Sequence, residues 1–99
     1  MRPIHVVRLD ESRPAVVLTR EVARPYLSTV TVAAITSTIR GLGTEVLLGR
    51  RNGLDHDCVV SCDQIVTVVR GAVGRQVGFL LDDQERALTL AIMTAFDLE

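Results

Sequence analysis

The sequence predicts a mostly β fold with one α-helix: a small antiparallel sheet, bent into a partly open barrel and closed by a C-terminal helix. Two observations carry this. Short Val-, Ile- and Thr-rich runs separated by turn-forming residues recur from Pro3 to Leu81, and four-residue apolar spacing starts only after Asp82. A third sets the scale, because 99 residues that are 47% hydrophobic suffice for a single domain, 1–99, whose core needs neither disulfide nor metal.

The elements follow in order. Residues 3–9, PIHVVRL, read as a first strand with Pro3 tolerated at its start, and Asp10-Glu11-Ser12 is a very short polar turn. Arg13-Pro14 opens a second strand, PAVVLT, whose unbroken apolar run indicates burial on both sides. Arg20 to Ser28 contains Pro25 and mixed charges, which suits a loop or one helical turn. A central strand begins at Thr29, Thr44 to Leu48 makes another, and Gly49 to His56 is a turn built on Asn52-Gly53. Asp57 to Asp63 runs on as a strand through Val69, Arg70 to Gly74 turns, and Gln76 to Leu81 is a last short strand. The helix then opens with Asp82 and Glu85 in a capping-box-like pair, and Leu88, Ile92 and Phe96 form its stripe with Ala91 and Ala95 between them. Ala87, Leu90 and Met93 widen that stripe, either toward the core or toward a partner subunit or peptide.

Net charge is −1, yet residues 1–81 hold ten Arg against seven acids, while residues 82–99 hold five acids against Arg86. The barrel is therefore basic and the tail acidic. Every cation is Arg and none is Lys, a bias that fits bidentate phosphate recognition and equally a GC-rich genome. Cys58 and Cys62 share a strand face about 13 Å apart, at about 3.3 Å per residue, too far to bond to each other. With His5 and His56 distant in sequence, the expectation is two buried reduced thiols and no metal site. No apolar run approaches the roughly 20 residues that cross a bilayer, and Ile4 to Val7 is too short for a signal-peptide core, so a cytoplasmic protein without membrane association is expected.

One stretch stands out chemically. Thr29 to Ile35 is a strand, and Thr36, Ser37, Thr38 and Arg40 follow before two glycines flanking Leu42 free the backbone to turn. Hydroxyls and a guanidinium at a sheet rim suit an anionic oxygen such as phosphate, although a polar strand end closing through a Gly turn has the same composition. Arg13 sits at a strand mouth, where Pro14 favours extended geometry and aims the guanidinium outward; a solvated cation beside Glu11 is the alternative.

Three pieces in order, RPAVVLT from Arg13, VAAIT from Val32 and VVSCDQI from Val59, resemble the MazF/PemK family of bacterial toxin endoribonucleases, and the resemblance spans nearly the whole chain. It implies an SH3-like barrel with a C-terminal helix. It also implies sequence-specific, metal- and cofactor-independent cleavage of single-stranded RNA by 2′-OH attack, giving a 2′,3′-cyclic phosphate and a 5′-OH, with Arg13 and Thr36 as the catalytic pair. A guanidinium does not deprotonate in a protein, so Arg13 is assigned to charge on the phosphorane, Thr36 to a non-bridging oxygen, and the base stays open.

The same resemblance places Ser37, Thr38 and Arg40 along the RNA backbone, and Asp63 and Gln64 at a base edge unless they are merely a polar strand end. Of the aromatic residues Tyr26, Phe79 and Phe96, only Tyr26 is expected on the surface. The implied partners are a second copy of the chain in a homodimer and a cognate MazE-like antitoxin whose acidic, apolar segment fills the basic channel. In the family a longer loop, often GSEQ-like, joins the first two strands, and here it has shrunk to Asp10-Glu11-Ser12. A more open site would admit tRNA or ribosomal RNA as well as mRNA. A distinct expectation is a non-catalytic gyrase poison of similar fold acting through Met93 and Phe96 on the last helix, and a third is an inert SH3-like interaction module.

Overall fold

A computed structural model describes residues 1–98. Six strands, β1 (Arg2–Arg8), β2 (Ser12–Val17), β3 (Thr29–Thr36), β4 (Glu45–Leu48), β5 (Cys58–Val69) and β6 (Val73–Leu80), form one antiparallel sheet in the order β4-β5-β3-β2-β1-β6. Helix α1 (Asp82–Ala95) follows directly. The sheet curls without closing through strand pairing, so β4 and β6 are its edges. A side-chain seam bridges them. The expected Asn52-Gly53 turn is a 3-10 turn over Arg50–Asn52, ended by Gly53 at φ +90°. Asn52 is 1% exposed; its amide nitrogen donates to the Phe79 carbonyl (2.9 Å) and Gln84 Oε1 (2.6 Å), while its oxygen accepts from Gly49 N–H (3.1 Å). Gly78 makes the approach possible, since a Cβ there would lie 1.7 Å from the Asn52 carbonyl oxygen.

The curled sheet has two apolar faces. Ile4, Val16, Ala33, Ile35, Val60, Cys62 and Leu80 pack under Leu88 and Ala91 of α1, and Val7, Ala15, Val17, Val30 and Val32 form a smaller cluster on the other side. At roughly 25 cal/mol per Å² of apolar surface, the larger cluster is the main source of stability and holds the helix in place. Both cysteines are buried and free, as their strand spacing requires. Burial pushes the Cys58 thiol up, and the Cys62 thiol up to about 11, with Asp57 and Asp63 adding to the effect.

Several local expectations shift. The Arg20–Ser28 segment contains a 3-10 turn over Glu21–Tyr26, and the last strand starts at Val73 because Val7 of β1 pairs with it. Asp82 is the first helical residue rather than the cap; Gln84 Oε1 accepts from Leu81 N–H (2.9 Å), and Glu85 is drawn off to the Arg2 Nε at 2.7 Å. The acidic tail is thus paired with the basic barrel, since Arg51 also donates to both oxygens of Asp83 at 2.6 Å. Acids in the first turn also suit the helix dipole. Of the residues that widen the helix stripe, Leu90 (50%) and Ala87 are exposed and Met93 is half-buried, while Phe96, the last member of the stripe itself, is 55% exposed. Tyr26 is exposed as expected, but Phe79 and Phe96 are exposed as well.

Candidate RNA-cleavage site

The site lies at one rim of the sheet, where β2 begins and β3 ends. Ala15 pairs with Ala34, Val16 with Ala33 and Val17 with Val32. Continued two residues past the last pair, that register sets Arg13 opposite Thr36, and strand alternation turns both side chains to the face that carries Ala15 and Ala34. Both line one cavity of about 230 Å³. The two groups singled out 23 residues apart in sequence therefore share a wall.

Arg13 is neither fully solvated nor fully paired. Its side chain is 25% exposed, its Nη2 donates to Glu11 Oε1 at 2.8 Å, and Asp10 Oδ1 lies 3.9 Å away. Its Nε is buried with no hydrogen-bond partner. A buried unpaired N–H costs about 1–3 kcal/mol, which this fold bears at the mouth of a cavity. The Thr36 oxygen accepts from Thr38 N–H at 3.2 Å, which leaves its own proton free to donate.

A second cavity of about 140 Å³ shares Thr36 and is lined by Thr38, Arg40, Asp63 and Gln64. A third, of about 510 Å³, shares Arg13 and Gln64 and has Ala34, Val66 and Val68 among its apolar lining. Ser37 lines the first cavity. All seven residues selected from the sequence thus line three neighbouring cavities around the end of β3, which share Arg13, Thr36 and Gln64 as common walls. An irregularity in β5 brings its members there: Ala33 pairs with Ile65 but Ile35 with Val60, so 61–64 bulge out opposite Ala34 and carry Asp63 and Gln64 to the rim.

The glycine turn after Thr38 is tethered. Glu45 Oε1 accepts from the amides of Arg40 (3.1 Å), Gly41 (2.9 Å) and Leu42 (3.3 Å), and Thr44 donates to Asp63 Oδ2 at 2.6 Å. Gly41 holds φ +72°, a left-handed conformation natural to glycine.

Two carboxylates and an imidazole that line the first cavity were not singled out as site residues in the sequence: Glu11, Asp55 and His56. His56 Nδ1 lies 2.5 Å from Asp55 Oδ1, and that contact, with the imidazole charge, holds the Asp55 carboxyl below the usual range. The available signal was position: Asp55 and His56 leave the Asn52-Gly53 turn just before β5, whose first residues pair beside Thr36. Cys58 also lines this cavity, but its thiol stays protonated near neutrality and is a poor nucleophile. Among the described residues, no group of three or more His, Cys, Asp and Glu side chains is placed to hold a metal ion, and no helix is long and apolar enough to cross a membrane.

Comparison with known proteins agrees with the resemblance. A family model described as PemK-like, MazF-like toxin of type II toxin-antitoxin system matches residues 5–96. The chain is 56% identical over 99 residues to the Mycobacterium tuberculosis (strain H37Rv) protein named Endoribonuclease MazF3, covering 100% of this chain and 96% of that one. It is 36% identical over 86 residues to Probable endoribonuclease MazF5 of the same strain, covering 86% and 79%. Among solved structures, the Mycobacterium tuberculosis toxin MazF-mt6 matches with a TM-score of 0.97 at 55% identity over 99% of each chain. An endoribonuclease in complex with its cognate antitoxin, from mycobacterial species, shares the fold with a TM-score of 0.87 at 20% identity, over 98% of this chain and 93% of that one. A curled antiparallel sheet with a C-terminal helix, the RPAVVLT, VAAIT and VVSCDQI segments on its central strands, and these matches place the chain in the family of PemK-like, MazF-like toxins of type II toxin-antitoxin systems.

Proposed function

We propose that this toxin is a sequence-specific, metal-independent endoribonuclease in which Arg13 and Thr36 act on one scissile phosphodiester. The ribose 2′-oxygen attacks the adjacent phosphorus, the bond to the 5′-oxygen breaks, and the products are a 2′,3′-cyclic phosphate and a 5′-OH. Charge gathers on the non-bridging oxygens, where the permanent charge of Arg13 and the free proton of Thr36 stabilise it. The observation that carries the reading is the cross-strand juxtaposition of these two groups over a shared cavity, with an Arg13 N–H buried and unused.

Ser37, Thr38 and Arg40 then follow the RNA backbone, and Asp63 and Gln64 read a base edge. The turn between β1 and β2 is short, with Leu9 N–H bonded to Glu11 carbonyl oxygen at 3.1 Å. A turn this short reaches only the edge of the site, where Asp10 and Glu11 line the cavities, so tRNA and ribosomal RNA are admissible substrates beside mRNA. Exposed Leu47, Leu90 and Phe96 offer apolar surface for a homodimer, and the Arg-lined cavities suit the acidic, apolar segment of an antitoxin in the cytoplasm. Met93 and Phe96, on which a gyrase poison would depend, line none of the three cavities.

The test is incubation of the purified protein with total RNA in the presence of a chelator, with sequencing of the new 5′ ends. Cuts at a short recurring motif, bearing 5′-OH termini and absent with Arg13→Ala, are expected. RNA left whole, or cleaved equally by the variant, refutes the proposal.

A further inference from the structure

Breaking a phosphodiester by an internal hydroxyl needs a proton for the departing 5′-oxygen as well as relief of charge on the phosphorane. Arg13 keeps its protons and Thr36 carries no group that titrates in the ordinary range, so neither fills that need. The order of groups along the rim supplies a candidate. Glu11 comes from the turn between β1 and β2, Arg13 from the start of β2, Thr36 from the end of β3, and His56 from the residues leading into β5. Since β5 lies on one side of β3 and β2 on the other, Glu11 and His56 reach the same cavity from opposite flanks of the Arg13 and Thr36 pair. Displacement at phosphorus runs in line, with attacking and leaving oxygens on opposite sides.

We propose that His56 is the proton donor to the 5′-oxygen leaving group, a role that rests on the ribonuclease reading above. As the 2′-oxygen bonds to phosphorus, its proton passes to the Glu11 carboxylate. As the bond from phosphorus to the 5′-oxygen breaks, its electron pair takes the proton from His56 Nε2. The products are the cyclic phosphate and the 5′-OH, and water returns the proton from Glu11 to His56.

The geometry around His56 suits this. Asp55 Oδ1 engages Nδ1 and leaves Nε2 as the exchanging position. The His56 side chain is 60% exposed and open to a substrate. The charged and titratable groups around it are the Asp55 carboxylate with Arg50 near that carboxylate, Asp57 beside Cys58, the Cys58 thiol, and Glu11 and Arg13 across the cavity. Imidazole is the side chain used most often as a general acid, and His56 is the one that lines this cavity.

The experiment uses two short RNAs containing a mapped cleavage site, one native and one with sulfur in place of the bridging 5′-oxygen, whose thiolate leaves without needing a proton. His56→Gln is expected to cleave the native RNA about 100-fold or more slowly than the unsubstituted protein, and the sulfur RNA within about 10-fold of it. An equal loss on both RNAs would reduce His56 to a positioning residue, and no loss on the native RNA would remove it altogether; either result overturns the proposal. Should the variant fold poorly by thermal melting, the pH dependence of the unsubstituted protein decides. Its rate on the native RNA should fall as pH rises through the imidazole range while its rate on the sulfur RNA does not, and matching profiles overturn the proposal. An unsubstituted protein that cuts neither RNA refutes the ribonuclease reading itself, a result separable from those that concern His56.

Discussion

Replacing Arg13 by Met should separate activity from stability in an informative way. Met keeps most of the aliphatic stem that fills the rim and removes the guanidinium. Two stability terms then oppose each other. The ion pair with Glu11 is lost, but with the Glu11 side chain 74% exposed it contributes at most about 1 kcal/mol. The buried, unpaired Nε–H disappears, which returns about 1–3 kcal/mol. The net expectation runs from about zero to a gain of about 3 kcal/mol, read as an unchanged melting temperature or one raised by up to about 12–24 °C at about 4–8 °C per kcal/mol for a domain of this size. Cleavage should fall by about 10²–10³, the usual consequence of removing one preorganised donor to a developing oxyanion. Melting by circular dichroism and cleavage of a fluorogenic RNA under saturating enzyme measure the two. A variant destabilised by more than about 2 kcal/mol would mean the guanidinium is structural, and activity within about 10-fold of the original would mean it does not face the scissile phosphate.

Thr36→Val, nearly isosteric, should lower the cleavage rate by about 100-fold while RNA binding changes little, since the hydroxyl contact strengthens only in the transition state; filter binding beside single-turnover rates tests this, and a loss in affinity alone argues otherwise. Asn52→Ala strands the Gly49 N–H and the Phe79 carbonyl in a buried seam, so about 3 kcal/mol of stability should go, seen as a lower urea midpoint. The Cys62 thiol is raised by burial from 9.0 to about 11, so the folded protein holds its proton to higher pH than the unfolded chain does. That stability is whole below about pH 9 and drains as pH rises through about 11. Urea midpoints across this range should decline, and Cys62→Ala should flatten the decline; parallel curves would show that the thiol is not its source.

Much of this could be read along the chain. Val-, Ile- and Thr-rich runs announced the strands, and the four-residue spacing of Leu88, Ile92 and Phe96 announced the helix, because side-chain periodicity is local chemistry. The same holds for the burial of Cys58 and Cys62, whose spacing fixes a common strand face. The helix cap was less legible: Asp82 and Glu85 had the right types, but Gln84 caps because it also meets Asn52, a residue 32 positions earlier in the chain.

The sequence by itself determined which chemistry is available: a guanidinium before Pro14, hydroxyls after a buried strand, and a carboxylate with an amide at Asp63 and Gln64. Only the tertiary structure decided that these meet. The β2 and β3 register lines up Arg13 with Thr36, the β5 bulge brings Asp63 and Gln64 to the same strand end, and the residues leading into β5 bring His56 to a cavity that Glu11 also lines. Register and bulge depend on which strands pair at long range, and that choice is made by the free energy of the whole core rather than by any one segment.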